Sequence, residues 1–210
     1  MTFDVELFLT TFATLLVIAD PFGNLPVFLA LTQRNTRSER NRIGWQSVLT
    51  SAIVLATFGL FGRFILDLLG ISVEAMQISG GILLLLVSLQ LMSGSTEKEP
   101  TPEQTKVNVA LVPLGVPLMA GPGAIVAIMI AVQDARTSSF GAVGGMLAVG
   151  AAFIILHLVE LIVFRFANPL HRLLGEGGTV FLTRISGMLL SAISVQLIIS
   201  GILGVIAAQS

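Results

Sequence analysis

The chain contains no cysteine. That excludes disulfides, thiolate nucleophiles and cysteine metal sites, and it leaves the redox compartment unread. Charge is scarce too: 11% of the 210 residues are Asp, Glu, Lys or Arg, against about a quarter in a soluble domain. The formal net charge of −1 offers no basic excess for a nucleic-acid partner. The sequence holds no P-loop, HExxH or GxSxG motif and no Cys/His cluster, so nothing in it calls for ATP hydrolysis, a resident metal, a cofactor or an enzyme's catalytic constellation. An intramembrane aspartyl protease would need two deep aspartates together, and the sequence offers only Asp20. The opening "MTFDVELFL" carries Asp4 and Glu6 where a signal peptide has a basic region, which predicts no cleavage.

What the sequence does have is apolar length. It is 54% hydrophobic, with a mean hydropathy of +0.94. Runs at 7–19, 48–62, 78–95 and 186–208 carry few or no charges. A helix of about 20 apolar residues spans the hydrocarbon, and backbone in lipid must satisfy its own hydrogen bonds. The expected fold is therefore an all-α integral membrane protein, with the lipid bilayer as its surroundings. Six transmembrane helices are predicted, at 6–31, 43–66, 74–94, 107–132, 140–166 and 184–207. The stretch "GSTEKEPTPEQTK" is rich in Pro, Glu and Thr and reads as a solvated linker over 95–106. Residues 168–178, "NPLHRLLGEGG", fit a short amphipathic interfacial helix.

Lys and Arg orient the chain. With an even number of spans, Arg34, Arg37, Arg40, Arg42, Lys98, Lys106, Arg165, Arg172 and Arg184 fall on one side, and Arg63 and Arg136 on the other. The first side should be cytoplasmic, with both termini outside.

The two halves of the chain resemble each other. "QISGGILLLLVSLQLM" from Gln77 matches "RISGMLLSAISVQLII" from Arg184 with one single-residue gap. Arg63-Phe64 pairs with Arg165-Phe166, and Leu68-Leu69-Gly70 with Leu173-Leu174-Gly175. Ala19-Asp20-Pro21 aligns with Ala120-Gly121-Pro122. Chance apolar similarity does not keep Gly, Pro, Arg and Gln in register. The halves are 1–94 and 107–210, each with three predicted spans. Three is odd, so the second half enters the membrane from the opposite side. The expectation is two inverted three-helix repeats, the architecture of many secondary transporters.

Within the repeat, the first and fourth helices are expected to be broken. "IADPFGNLPVFL" sets Asp20, Pro21, Gly23, Asn24 and Pro26 in an apolar segment, and "VPLMAGPGAI" sets Pro117, Gly121, Pro122 and Gly123 in its counterpart. Proline removes a donor and crowds the preceding turn, and glycine loosens the backbone. Interrupted helices at matching places of two halves point to a transporter's binding site. A half-helix starting after each break would offer unpaired N–H groups and a positive dipole end to an anionic group. Carbonyls upstream would accept from an ammonium or a cation, so a zwitterion fits both. Asp20 has three open roles: it binds a substrate amine, it carries the coupling H+ or Na+, or it caps the half-helix that follows. Gly121 stands at the matching place, so the site is asymmetric in charge.

His157 and Glu160 share a face of the fifth span at i, i+3. Two ligands are too few for a metal site. They read as a hydrogen-bonded pair or a relay, with Glu160 a second candidate for ion coupling. Gly80, Gly81 and Gly187 read as close-packing points between helices. Gln90 and Gln196 recur in the repeat as candidate interhelical bridges, and Arg63 and Arg165 sit where they can snorkel.

"DPFGNLPVFLALT", "GVPLMAGPGAI" and the two "ISG" helices resemble the MarC family of bacterial inner-membrane proteins over essentially the whole chain. The resemblance implies a six-span, transporter-like protein of the inner (plasma) membrane, associated in some members with neutral amino acid transport. Substrate contact is carried over by location onto Asp20, Pro21, Gly23, Asn24, Gly121, Pro122 and Gly123. The expected function is a secondary transporter of small neutral solutes, working by alternating access and proton-coupled through Asp20. The alternatives are a small-metabolite channel or uncoupled exporter, and a membrane subunit without flux. Small-residue faces would permit a homo-oligomer.

Overall fold

The computed structural model describes residues 3–93, 114–115 and 119–209. The expected linker at 95–106, the start of the fourth predicted span at 107–113 and Pro117 lie outside the described residues. Every regular element among the described residues is helical.

Local chemistry sets the ends of the helices. Helix α1, Val5–Ala19, starts where the Asp4 carboxylate accepts the Leu7 N–H at 2.9 Å. Helix α2 is the short Leu25–Leu31. Helix α3, Arg37–Leu69, opens on a reciprocal capping box between Thr36 and Glu39 and stops at Gly70, whose φ of 67° suits a residue without a Cβ. Helices α4, Val73–Ser93, α5, Pro122–Arg136, and α6, Gly141–Arg165, follow. Helix α7, Ala167–Gln209, is interrupted at Gly175, with φ 65° and ψ 178°. The expected interfacial helix is the part of α7 before that interruption. It turns Leu170 and Leu174 toward a buried cluster and leaves Leu173 exposed.

Helices α3, α4, α6 and the Val180–Ala208 part of α7 are long and apolar enough to cross a membrane, and α1 is apolar but shorter. Their packing inverts that of a soluble protein. Large apolar side chains point outward: Ile53, Leu60 and Phe64 on α3, Ile154, Leu158 and Ile162 on α6, Ile202 and Ile206 on α7. Polar ones point inward: Asp20, Asn24, Ser47, Ser51, Ser88, His157, Glu160 and Ser194 are all buried. Lipid is the surrounding in which that arrangement is favourable.

Three contacts fix how the helices lie. At one end of the bundle the Ser138 hydroxyl, between α5 and α6, donates to Asp4 Oδ2 at 2.7 Å. At the other end Phe28 of α2 stacks on Phe164 of α6, with ring centroids 4.5 Å apart, and Gly44 of α3 sits against both rings' residues. Further along α3, Gly59 and Gly62 admit Ile128 and Met129 of α5. Helix α3 therefore runs antiparallel to α6, while α1 and α2 run alongside α6 in the same sense.

Helices α4 and α7 cross antiparallel through reciprocal glycine contacts. A Cβ on Gly81 would lie 2.7 Å from the Ser194 carbonyl oxygen, and one on Gly187 would lie 3.2 Å from that of Ser88. Ser88 and Ser194 are partners in the sequence repeat, as are Gly80 and Gly187. The crossing is thus built from the same motif used twice.

Candidate functional site

The first interruption falls where the sequence places it, between α1 and α2. Asp20 ends α1 in the left-handed region, at φ 39° and ψ 64°, and is the non-glycine residue with positive φ among the described residues. Its N–H donates to the Leu16 carbonyl. Its Oδ1 accepts the Gly23 N–H at 3.0 Å and the Ser186 hydroxyl of α7 at 2.8 Å. The Asn24 amide donates to the Ala19 carbonyl at 2.8 Å, filling an acceptor that the end of α1 leaves open. Asp20, Pro21, Gly23 and Asn24 are buried. A Cβ on Gly23 would fall on the Asp20 carboxylate, so any larger residue there would have to displace that carboxylate. The first break therefore differs from an open helix N-terminus: Asp20 occupies its own turn.

The second proline–glycine stretch precedes α5, and Ala120 donates back to the Gly115 carbonyl at 3.0 Å. Helix α5 then starts with Gly121 as N-cap and Pro122 in its first turn, and among the described residues no side chain caps it. Pro at that place costs nothing, since its missing N–H would have had no helical partner. Gly123 is buried against Leu84 of α4, where a Cβ would collide with that side chain.

The two breaks share surroundings. Ala19 and Ala120, paired in the repeat, belong to one buried cluster with Leu15, Ala124, Leu84 and Leu156. Each repeated Ile-Ser-Gly reaches the break of the other half: Ser186 bonds Asp20, and a Cβ on Gly80 would lie 3.6 Å from the Pro122 carbonyl oxygen. Ser79, the counterpart of Ser186, is exposed, and its hydroxyl bonds Met76 of its own helix instead.

Glu160 and His157 lie at the same level. Helix α6 is pinned beside α1 and α2 by Ser138–Asp4 and Phe164–Phe28, which places the 20–24 break alongside the His157–Glu160 turn. Glu160 has no exposed surface, and neither carboxyl oxygen has a hydrogen-bond partner among the described residues. His157 Nδ1 contacts the Phe153 carbonyl at 2.7 Å, and its Nε2 stands 3.9 Å from Glu160 Oε2. Among the described residues no group of three His, Cys, Asp or Glu is placed to hold a metal ion.

A groove of about 330 Å³ opens elsewhere, between α3 and α6, lined by Asn41, Trp45, Leu158 and Arg165 among others. It touches none of the break residues, so buried polar groups locate the candidate site better than open volume does. Sequence reasoning gave no role to Ser186 or Ser51. The signal for Ser186 was its place in the repeated Ile-Ser-Gly; Ser51, a serine in an apolar helix, gave none.

Residues 5–206 match the profile described as MarC family integral membrane protein. The chain is 37% identical over 206 residues to the UPF0056 membrane protein MJ1677 of Methanocaldococcus jannaschii, covering 96% of this chain and 98% of that one. It is 34% identical over 209 residues to the UPF0056 membrane protein YhcE of Escherichia coli, covering 97% and 95%. A UPF0056 membrane protein of Aquifex aeolicus is 32% identical over 202 residues, covering 93% and 92%. No solved structure matches. A match over nearly the whole length, with the breaks, the Ile-Ser-Gly helices and the apolar exterior in place, means that this chain belongs to the MarC family of integral membrane proteins.

Proposed function

We propose that this protein is a secondary transporter of small neutral solutes, with neutral amino acids such as alanine, glycine and serine as its substrate class. The observation that carries the reading is the pair of helix breaks. They stand at matching places of a sequence repeat and share one buried cluster, the pattern expected of a midplane binding site. They are also complementary. The uncapped start of α5 at Gly121, Pro122 and Gly123 suits a carboxylate. The Asp20 turn, with Pro21, Gly23 and Asn24, supplies a buried acid, suited to an ammonium. Alternating access of two inverted three-helix repeats would expose this site to each side in turn. The reciprocal α4–α7 crossing is what a pseudo-twofold axis in the membrane plane produces. The Asp4–Ser138 bond puts the first residues and the α5–α6 connection at one end, as six spans require. The basic end, with Arg34, Arg37, Arg40, Arg42, Arg165 and Arg172, would face the cytoplasm of a bacterial inner membrane. Coupling to H+ would run through an intramembrane acid, Asp20 or Glu160.

The test is solute counterflow in proteoliposomes. Vesicles loaded with unlabelled alanine, glycine or serine are given trace labelled solute outside. Transient accumulation is expected. Flux without counterflow would favour a channel. No flux across an amino-acid panel, from folded protein, would remove the substrate assignment.

A further inference from the structure

Two acids lie at the level of the breaks, and their surroundings differ sharply. Asp20 accepts two hydrogen bonds on Oδ1, one from its own turn and one from Ser186. It holds the break together as a carboxylate acceptor does. Glu160 has no exposed surface and no donor for either oxygen among the described residues. An ionised carboxylate so placed would be far costlier than a neutral one.

Among the described residues no Lys or Arg comes within 4 Å of Glu160 to offset that cost. Helix α6 packs against α1, α2, α3, α5 and α7. Helix α2 carries no titratable residue. Helix α1 brings Asp20 at this level, with Glu6 near its far end. On α3, Arg37, Arg40 and Arg42 sit at one end and Arg63 and Asp67 at the other. Helix α5 carries Asp134 and Arg136 at its distal end. Helix α7 brings Arg184 near the level of Ser186, and His171 and Arg172 before its interruption. Among the described residues, the basic group within 4 Å of Glu160 is His157 alone.

His157 is arranged to accept. With its Nδ1–H donated to the Phe153 carbonyl, Nε2 keeps its lone pair. That atom is itself buried and without a hydrogen-bond partner among the described residues. Ser51 of α3 completes the polar group. Gly44 sits against Phe164, so two turns further along these antiparallel helices Ser51 comes level with His157. Its hydroxyl is buried and, among the described residues, without a hydrogen-bond partner.

We propose that Glu160 carries the coupling proton and exchanges it with His157 Nε2, while Asp20 serves the break and the substrate. This rests on the transporter reading for the word coupling, but not for the proton itself. In the exchange the Glu160 O–H bond breaks, a bond forms between that proton and the Nε2 lone pair, and carboxylate and imidazolium result. No other reactant is needed. At 3.9 Å the pair is beyond hydrogen-bond reach, so transfer requires a side-chain rotation or a bridging water.

The test is infrared spectroscopy of the full chain in lipid at neutral pH, where a solvated glutamate is ionised. A protonated-carboxyl band is expected that shifts when glutamate is carboxyl-labelled with carbon-13, which reads the wild type without any variant. Glu160→Gln should lose the band, Asp20→Asn should keep it, and His157→Gln should shift it. Absence of a glutamate band, or its survival in Glu160→Gln, overturns the proton on Glu160. An unshifted band in His157→Gln overturns the exchange partner. In proteoliposomes Glu160→Gln should keep counterflow and lose pH-driven accumulation; retained pH-driven accumulation overturns the coupling role. A wild type without counterflow would sink the transporter reading and the coupling role with it, and leave the infrared result to decide the proton.

Discussion

A residue's depth is legible in a sequence, and its partners are not. Asp20 stands out as an acid inside an apolar run, but the hydroxyl it accepts comes from Ser186, 166 positions away. Only the folded chain shows that the acid caps its own turn and bonds a second element. That duty makes a prediction. Asparagine keeps a side-chain oxygen and tolerates the left-handed region, whereas alanine does neither. Asp20→Asn should therefore unfold near the wild-type midpoint, and Asp20→Ala should lose about 1–3 kcal/mol, measured by thermal unfolding in detergent. Equal midpoints for the two variants would show that the cap contributes nothing. Outside the membrane Asp4 makes a second prediction. The Ser138 hydroxyl, and next the Leu7 N–H, hold its carboxyl below the usual carboxylate range. A lowered value means stabilisation that is full above the unfolded carboxylate's pKa and is lost as pH falls through the folded one. Ser138→Ala should speed amide exchange in the first turn of α1 at neutral pH, and the difference from wild type should vanish in acid. A difference that persists in acid would separate the effect from Asp4.

Elements were read more securely than their ends. The apolar runs, the prolines and the glycines gave the helices, the interruption between α1 and α2, and the start of α5 at Pro122. They did not give the bond from the Ala120 N–H back to the Gly115 carbonyl, because such a bond depends on what surrounds the backbone. Nor did composition distinguish one glycine from another. Gly81 faces the Ser194 carbonyl oxygen at 2.7 Å from a hypothetical Cβ, while Gly150 has nothing within 4 Å. The α4–α7 crossing therefore depends on Gly81, and α6 does not depend on Gly150. Gly81→Ala should cost about 1–3 kcal/mol by overpacking against a backbone that cannot yield. Gly150→Ala should be neutral or mildly stabilising through helix propensity. Gly123→Ala is a third case, because the obstacle is the flexible Leu84 side chain. Its cost should fall when Leu84→Ala is added, a coupling that a double-mutant cycle reads directly. Additive losses would mean that Gly123 is needed for its backbone and not for its smallness.

At the scale of the molecule, the repeat and the side of each connection stand or fall together. An odd number of spans per half would invert the second half, and that inversion would place the Arg-rich connections on one side. The structure sets residues 32–36 and 166–169 toward one end of the bundle, near the Phe28–Phe164 stack. It sets residues 70–72 and 137–140 toward the other, with the Asp4–Ser138 bond. A chain without cysteine permits a clean test in cells with a membrane-impermeant maleimide. Single cysteines at the exposed positions Gln33, Ser72, Ser139 and Asn168 disturb no helix interior. Gln33→Cys and Asn168→Cys should be shielded in intact cells and labelled after lysis, as the charge rule predicts for the basic end. Ser72→Cys and Ser139→Cys should be labelled from outside. If all four exchange sides, the span count survives and the charge rule fails for this chain. If either pair splits, an odd number of crossings separates its members. The inverted repeat, and the meeting of its two broken helices at one depth, would then have to be abandoned.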